Sequence, residues 1–255
     1  MIKISTFILI LSFCLPITGL AQSPLKICVD NRYWYPFVYQ EESRPAGMFV
    51  EMVREAFYRA KIPIEILAVP IKRCVNILGR TGKIDAAIGL PYTAKYNELL
   101  EYPADATEEN SAWRLMQVDF NLVTPIASKF EFSGQLNDIP PPIRIPKAYT
   151  NIIHYFESQG IRVETSKEDE STFYKLIRDK EGSLITTSIM ADRLGEATRF
   201  KNKFVVHPKP IASISYFLTF FSSSRSDPEL RQTIWRQISA LRDDYIFMLQ
   251  LLSKY

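Results

Sequence analysis

Short apolar segments alternate with amphipathic segments from residue 25 onward, and this alternation constrains the fold more than any other feature. Residues 25–29 predict a strand, and Phe49 opens a segment whose apolar residues recur at helical spacing. A strand at 62–70, a helix at 71–79 and a strand at 84–90 continue the series. The nearly continuous apolar run of the last segment is typical of a parallel strand covered on both faces. Strands joined by helical crossovers predict an open α/β sheet.

The alternation restarts near residue 143 and predicts a second, smaller α/β unit. Within it, SLITTSIM (183–190) is predicted to be a strand. FVVHP (204–208) and ISYFLTFF (214–221) are predicted as two separate strands. A helix follows, for which Asp227 is the predicted N-terminal cap.

Four aromatic residues follow the first strand directly: Tyr33, Trp34, Tyr35 and Phe37. In open α/β sheets, ligands bind outside the carboxyl ends of the strands. Aromatic side chains are nevertheless used mostly for burial. The cluster therefore either stacks on a ligand or packs its own loop, and the sequence leaves both readings open.

Six further binding candidates lie where strands or crossing segments are predicted to reach the same crevice. They are Arg73, Leu90, Tyr92, Thr93, Trp113 and Tyr149. Leu90, Tyr92 and Thr93 follow the third strand and offer backbone and hydroxyl contacts. Arg73 either reaches the crevice or lies on a solvated helix face, and Trp113 either lines the cleft or packs the hinge. Tyr149 follows the first strand of the second unit.

Several motifs appear in a recognisable order along the chain. They are Tyr35-Pro36-Phe37 after the first strand, Gly47 before Glu51-Met52, the segment from Pro70 to Cys74, Gly82 and Asp85 in GKIDAAIG, Thr93, and EYP at 101–103. In this order they resemble the extracellular solute-binding proteins of family 3, the polar amino-acid type that feeds ABC transporters. The resemblance is close over residues 25–120 and 211–255, whereas residues 125–210 match only in the order of elements.

The resemblance implies a two-lobe α/β fold of the type II periplasmic-binding-protein class, each lobe a mostly parallel sheet flanked by helices. Residues 22–120 and the returning segment 211–255 are expected to form the first lobe, and residues 121–210 the second. The implied function is capture of a small solute by closure of the cleft, for delivery to an inner-membrane ABC permease. The chain is expected to be a monomer without cofactors and not an enzyme. The alternatives are a sensor that signals to a membrane partner and a dehydratase-like enzyme on the same fold.

Two departures from the family pattern bear on the ligand. Amino-acid binders of this family place an arginine shortly after the threonine of the third-strand loop, and its planar fork pairs with the ligand carboxylate. In this chain Tyr96 stands at that position, and Lys95 before it has a charge but no fork. The family's acidic partner for the ligand's amino group is also missing from SLITTSIM. The sequence therefore favours a polar or aromatic solute over an ordinary α-amino acid.

Residues 1–21 have a basic start, a short apolar stretch and small residues before Gln22, which is typical of a cleaved signal peptide. This predicts a periplasmic protein. An uncleaved anchor is the alternative, but the apolar stretch is short for a membrane span. Cys14 is a weak candidate for a lipid anchor, because the bulky Phe13 precedes it.

Cys28 and Cys74 remain after removal of the predicted signal peptide. An even number of cysteines in an oxidising compartment favours a disulfide, and two reduced core cysteines are the alternative. A formal net charge of +3 over 255 residues gives no indication of nucleic-acid binding. The two histidines, His154 and His207, have no second ligand at metal-binding spacing, so no metal site is expected.

Overall fold

The computed structural model describes residues 23–108 and 110–255, and the predicted signal peptide lies outside them. The strands are β1 (Leu25–Asp30), β2 (Tyr39–Glu41), β3 (Arg44–Ala46), β4 (Ile64–Val69), β5 (Ala86–Pro91), β6 (Leu100–Glu101), β7 (Met116–Pro125), β8 (Ile143–Pro146), β9 (Val163–Ser166), β10 (Ser183–Thr187) and β11 (Phe204–Phe221). The helices are α1 (Met48–Arg59), α2 (Ile71–Arg73), α3 (Ala94–Asn97), α4 (Thr150–Ser158), α5 (Asp169–Asp179), α6 (Ser188–Glu196), α7 (Pro228–Asp243) and α8 (Tyr245–Leu252). A π-helical turn at Cys74–Gly79 continues α2, and a 3-10 turn lies at Leu136–Asp138. No helix in the described part of the chain is long and apolar enough to cross a membrane.

A continuous sheet connects the two halves of the molecule in the strand order β4-β1-β5-β11-β7-β10-β8-β9. Strand β1 pairs in parallel with β4 and β5 at one end, and β8 pairs in parallel with β9 and β10 at the other. Between them β11 and β7 run antiparallel to each other. Two mostly parallel halves with flanking helices are thus joined by two antiparallel strands, which confirms the predicted two-lobe fold. We call the half around β1 the first lobe and the half around β8 the second.

Strand β11 is a single strand of 18 residues, whereas two separate strands were expected from the sequence. Its pairing with β7 starts at Phe204 and continues to Tyr216, with register shifts on both sides of Pro210. Proline lacks a backbone N–H and is tolerated in strands at such irregularities. The prolines therefore interrupt the ladder without ending the strand. The predicted lobe boundaries at residues 120 and 210 fall within β7 and β11 and stay a prediction.

Strand β10 ends three residues earlier than predicted. The last three residues of SLITTSIM belong to α6, which begins at Ser188. The hydroxyl of Thr187 caps this helix by accepting a hydrogen bond from the Met190 N–H at 3.4 Å. Threonine is common both within strands and as a helix cap, so the segment Thr186-Thr187-Ser188 does not by itself mark where the strand ends.

The predicted disulfide between Cys28 and Cys74 is present. It joins the middle of β1 to the π-helical turn after α2, with the two Cα atoms 6.3 Å apart. Both cysteines are fully buried in an apolar cluster with Val75, Ile84 and Phe221. The disulfide thus fixes the helix that follows β4 onto the neighbouring strand of the same lobe.

The N-terminus of α7 has the aspartate cap that the sequence predicted, and the contribution of this cap to stability can be measured. The Asp227 carboxylate accepts a hydrogen bond from the Leu230 N–H at 2.7 Å, and Pro228 occupies the first helical position. We expect Asp227→Ala to lower the free energy of unfolding by about 1 kcal/mol, because one N–H of the first turn loses its acceptor. Asp227→Asn should keep most of this stability, since asparagine caps equally well. Urea unfolding of the three proteins measures both effects, and equal losses in the two variants would contradict the capping role.

Candidate functional site

The loop between β1 and β2 carries the aromatic cluster and is held in place by backbone hydrogen bonds. Trp34 and Val38 exchange two of them, at 2.7 and 2.8 Å, which close a tight loop. The Met48 and Phe49 N–H groups at the start of α1 donate to the carbonyls of Pro36 and Phe37. Gly47 permits this close approach, because a Cβ atom there would lie 2.4 Å from the Phe37 carbonyl oxygen and its φ is +111°. The loop is therefore a rigid platform at the carboxyl end of β1.

Trp34 lies at the contact between the two lobes. Its ring packs on Phe37, Phe49 and Tyr216 of the first lobe, with centroid distances of 4.9, 5.7 and 5.0 Å. On the other side it meets the ring of Tyr149 edge-on at 6.3 Å. The Trp34 Nε1–H is buried and has no hydrogen-bond partner among residues 23–108 and 110–255. An unpaired buried donor costs free energy, so an acceptor that reached this indole nitrogen would lower that cost.

Tyr149 is buried in the second lobe and connects the lobe contact to a polar network. Its hydroxyl donates to Asp169 Oδ1 at 2.5 Å, and the Thr186 hydroxyl donates to the same oxygen at 2.5 Å. Burial raises the pKa of Asp169 from 3.8 to about 6, although the hydrogen bonds from Thr186 and Tyr149 oppose the rise. Burial, followed by the nearby Asp169 carboxylate, raises the pKa of Tyr149 well above its usual value of 10.0. Tyr149 is thus held as a neutral phenol that is fixed in position by its hydroxyl.

A second contact between the lobes lies at the outer side of the cluster. The Arg193 guanidinium of α6 lies 4.0 Å from the centroid of the Tyr35 ring, which is a cation–π arrangement. Tyr33 stacks on Tyr35 with ring centroids 6.3 Å apart and remains 50% exposed. Tyr35 is further held by a hydrogen bond from its hydroxyl to the Tyr255 carbonyl at 3.1 Å. Aromatic faces and one guanidinium therefore line the open side of the contact.

Arg32 makes a third contact between the lobes. Its guanidinium pairs with Asp30 at the end of β1, at 2.7 Å from Nε and 2.5 Å from Nη2. Its Nη1 donates to the hydroxyl of Thr150, the first residue of α4, at 2.5 Å. Burial raises the pKa of Tyr96. The Asp30 carboxylate raises this pKa further, and the Arg32 guanidinium lowers it. The guanidinium at the lobe contact therefore comes from the loop after β1, whereas the family pattern has its arginine after the third strand.

The structure brings together five of the ten predicted binding residues: Tyr33, Trp34, Tyr35, Phe37 and Tyr149. The other five have contacts of a different kind. Leu90 is buried in the core, Thr93 caps α3 by accepting from the Tyr96 N–H, Tyr92 packs on Tyr102, Trp113 packs against the main core, and the Arg73 side chain is exposed at the end of α2 without a hydrogen bond or ion pair to any described residue. Direct ligand contact by any of the ten stays a prediction.

Arg32, Thr150, Arg193 and Tyr216 belong to the contact between the lobes and were not singled out from the sequence. Thr150 follows Tyr149 directly, and Arg32 precedes Tyr33, so proximity to the candidates was a usable signal for both. Arg193 and Tyr216 carry no such signal, because they meet the cluster only through tertiary structure. No group of three or more His, Cys, Asp or Glu side chains is placed to hold a metal ion among residues 23–108 and 110–255.

Comparison with known proteins gives a clear result for the fold. No protein family matches the chain by sequence, and no curated protein does. A mutant of ArgBP from T. maritima is similar in structure, with a TM-score of 0.63, 17% identity, and 91% of this chain and 94% of that chain covered. A histidine kinase sensor domain with similarity to periplasmic binding proteins has a TM-score of 0.65, 14% identity, and 91% and 95% covered.

An ancestral amino-acid-binding protein, AncCDT-1, is also similar and is described as a precursor of cyclohexadienyl dehydratase. Its TM-score is 0.61 and its identity 13%, with 91% of this chain and 94% of that chain covered. Identities this low establish the fold alone. The chain has the type II periplasmic-binding-protein-like fold, which is the fold that the resemblance implied.

Proposed function

We propose that this protein captures a small polar or aromatic solute between its two lobes in the periplasm and delivers it to an inner-membrane ABC permease. The observation that carries the proposal is the contact of the loop after β1 with helices α4 and α6, through Arg32, Trp34 and Tyr35. These residues lie at the carboxyl end of a parallel strand, where open α/β sheets bind ligands. Closure of two lobes over such a surface couples binding to a change of shape that a permease reads.

The chemistry of the contact favours stacking over a carboxylate clamp. Arg32 already has the carboxylate of Asp30 and the hydroxyl of Thr150 as partners, so its fork is occupied. The open side instead offers the rings of Tyr33 and Tyr35 beside Arg193. Such a surface suits a flat or aromatic solute with a polar group. We therefore propose a polar or aromatic solute for this chain and not the amino acids named for the similar proteins.

We propose binding rather than catalysis. A general acid or base must reach the proton that it transfers. Asp169 has a raised pKa, but its side chain is buried and one of its oxygens already accepts hydrogen bonds from Tyr149 and Thr186. The carboxyl group therefore acts as a fixed acceptor behind Tyr149, which separates it from Trp34.

A sensor is the second candidate function. It is supported by the likeness to a kinase sensor domain and by three lobe-to-lobe contacts made by the protein's own side chains. In a sensor, the closed form signals to a membrane partner instead of a permease. Neighbouring genes separate the two candidates, because permease and ATPase genes would support transport and a membrane kinase or cyclase gene would support sensing.

The ligand is found by thermal unfolding of ligand-stripped protein against amino acids, amines, sugars, carboxylates and aromatic metabolites. A ligand at a hundred times its dissociation constant should raise the free energy of unfolding by about 2.7 kcal/mol, which raises Tm by several degrees. The same ligand should change the tryptophan fluorescence, and Trp34→Phe should abolish this change, because Trp34 lies at the lobe contact.

Two arginine variants localise the site. Arg193→Ala should weaken binding at least fivefold, because the cation beside Tyr35 is lost. Arg236→Ala removes an exposed arginine from α7 and should leave binding unchanged. Folded protein that gives no shift with any member of the panel would contradict solute capture, and equal losses in the two arginine variants would contradict the placement.

A further inference from the structure

His207 lies in a bulge of β11, in the part of this strand that pairs with β7. The β11 pairing with β7 moves from Val206 opposite Val123 to Pro210 opposite Asn121, so three residues of β11 face one residue of β7. Bulges of this kind redirect side chains and are over-represented beside functional sites. The buried Asn121 side chain stabilises the bulge by donating to the His207 carbonyl at 3.0 Å.

The His207 side chain is held equally firmly. It is only 5% exposed, and its Nε2 is 3.0 Å from the hydroxyl of the buried Thr124. The ring packs edge-on against Phe130, with centroids 5.5 Å apart. Its other ring nitrogen, Nδ1, has no hydrogen-bond partner among the described residues. The protein does not enclose this nitrogen completely. A buried histidine thus presents one free ring nitrogen to its surroundings.

A concave surface that encloses a volume of about 470 Å³ lies next to this histidine. It runs between residues 128–132, after β7, and residues 205–209 of the bulge. Phe130 and Phe132 supply aromatic area, and Lys129 and Lys209 supply two positive charges against the single carboxylate of Glu131. This volume falls within the range of small-molecule sites, which combine apolar lining with a few fixed polar groups.

We propose that this surface is a second ligand site, which binds a small carboxylate that carries an aromatic ring. The ring packs on Phe130, and the carboxylate lies between Lys129 and Lys209. With the proton on Nδ1, His207 donates to the carboxylate while the Thr124 hydroxyl donates to Nε2. None of these residues takes part in the contact between the lobes, so the site is separate from the cleft and independent of the function proposed for it.

The probe is 4-fluorobenzoate, observed by fluorine NMR in a titration of the whole protein. Saturable binding is expected, with a dissociation constant below about 1 mM, or at least about 4 kcal/mol of binding free energy. The Lys129→Ala/Lys209→Ala double variant should bind at least tenfold more weakly. Both lysines are exposed, so their loss leaves the core intact. Lys201→Ala, which removes another exposed lysine of the same lobe, should bind as the unchanged protein does.

Two comparisons test the ligand class and the location. The neutral 4-fluorobenzyl alcohol should bind at least tenfold more weakly than the carboxylate, because it gains nothing from the two lysines. Arg193→Ala in the cleft should leave 4-fluorobenzoate binding unchanged. Equal affinity of the double lysine variant, a lack of saturation, or loss of binding in Arg193→Ala would each overturn the proposal.

Discussion

Replacement of both Cys28 and Cys74 by alanine should lower the free energy of unfolding by about 4 kcal/mol, which is a large fraction of the stability of a typical domain. The two cysteines are separated by 46 positions, and cross-linking a loop of this length removes much of the conformational entropy of the unfolded chain. Both side chains are fully buried beside Val75 and Phe221, so the double variant also loses some apolar packing.

Urea unfolding of the oxidised protein and of the double alanine variant measures this effect. At this chain length, the loss should lower Tm by roughly 10 °C. Cys28→Ala alone is the matched control, because it breaks the same cross-link while the Cys74 side chain stays, and it should lose most of the same free energy. A loss below about 1 kcal/mol in the double variant would mean that the cross-link contributes little beyond the surrounding packing.

The elements that the sequence predicted well are those whose signals are local. The strand at β5 was visible as a nearly continuous apolar run, and α7 as an aspartate cap before a proline and an apolar stripe. The disulfide followed from compartment and cysteine number. Each of these predictions depends on residues that are near one another in the chain or on composition.

Helix α8 and the hairpin of β2 and β3 were not predicted, for opposite reasons. All but one residue of α8 are apolar, so it has almost no polar face from which to recognise a helical period. The hairpin is three residues long on each side and mostly exposed, and its turn uses Glu42 and Ser43 at positive φ instead of glycine. Neither element carries the pattern that its class normally shows.

In the candidate site as well, the sequence predicted the residues with local signals and missed most of their distant partners. The position of Trp34 and Tyr35 at the end of a strand was predictable, because they follow the apolar segment of β1 closely in the chain. Their partners Tyr149 and Arg193 lie more than a hundred residues away in the chain, and the register of two lobes determines which side chains meet. Tyr149 was found only through its place after a strand, and Arg193 is one arginine among many.

The buried carboxyl of Asp169 makes stability depend on pH in a defined window. Burial raises its pKa in the folded protein from 3.8 to about 6, against the opposing hydrogen bonds from Thr186 and Tyr149. Between about pH 4 and pH 6, the folded protein therefore holds a proton that the unfolded chain has released. The contribution of Asp169 to the free energy of unfolding is fully present below about pH 4 and is lost as the pH rises to about 6. The total loss is about 3 kcal/mol.

Asp169→Asn should remove this dependence, because an amide does not titrate and its oxygen still accepts from Tyr149 and Thr186. Urea unfolding from about pH 4 to pH 7 should show the variant gaining about 3 kcal/mol relative to the unchanged protein, with the gain complete near pH 6. Tyr149→Phe removes one donor to the carboxylate and should move the upper end of the window to higher pH. Asp192→Asn on the exposed face of α6 serves as the matched control and should differ from the unchanged protein by a constant amount. A constant difference for Asp169→Asn as well would mean that Asp169 is charged in the folded protein throughout this range, and that Tyr149 is held by a carboxylate instead of a carboxylic acid.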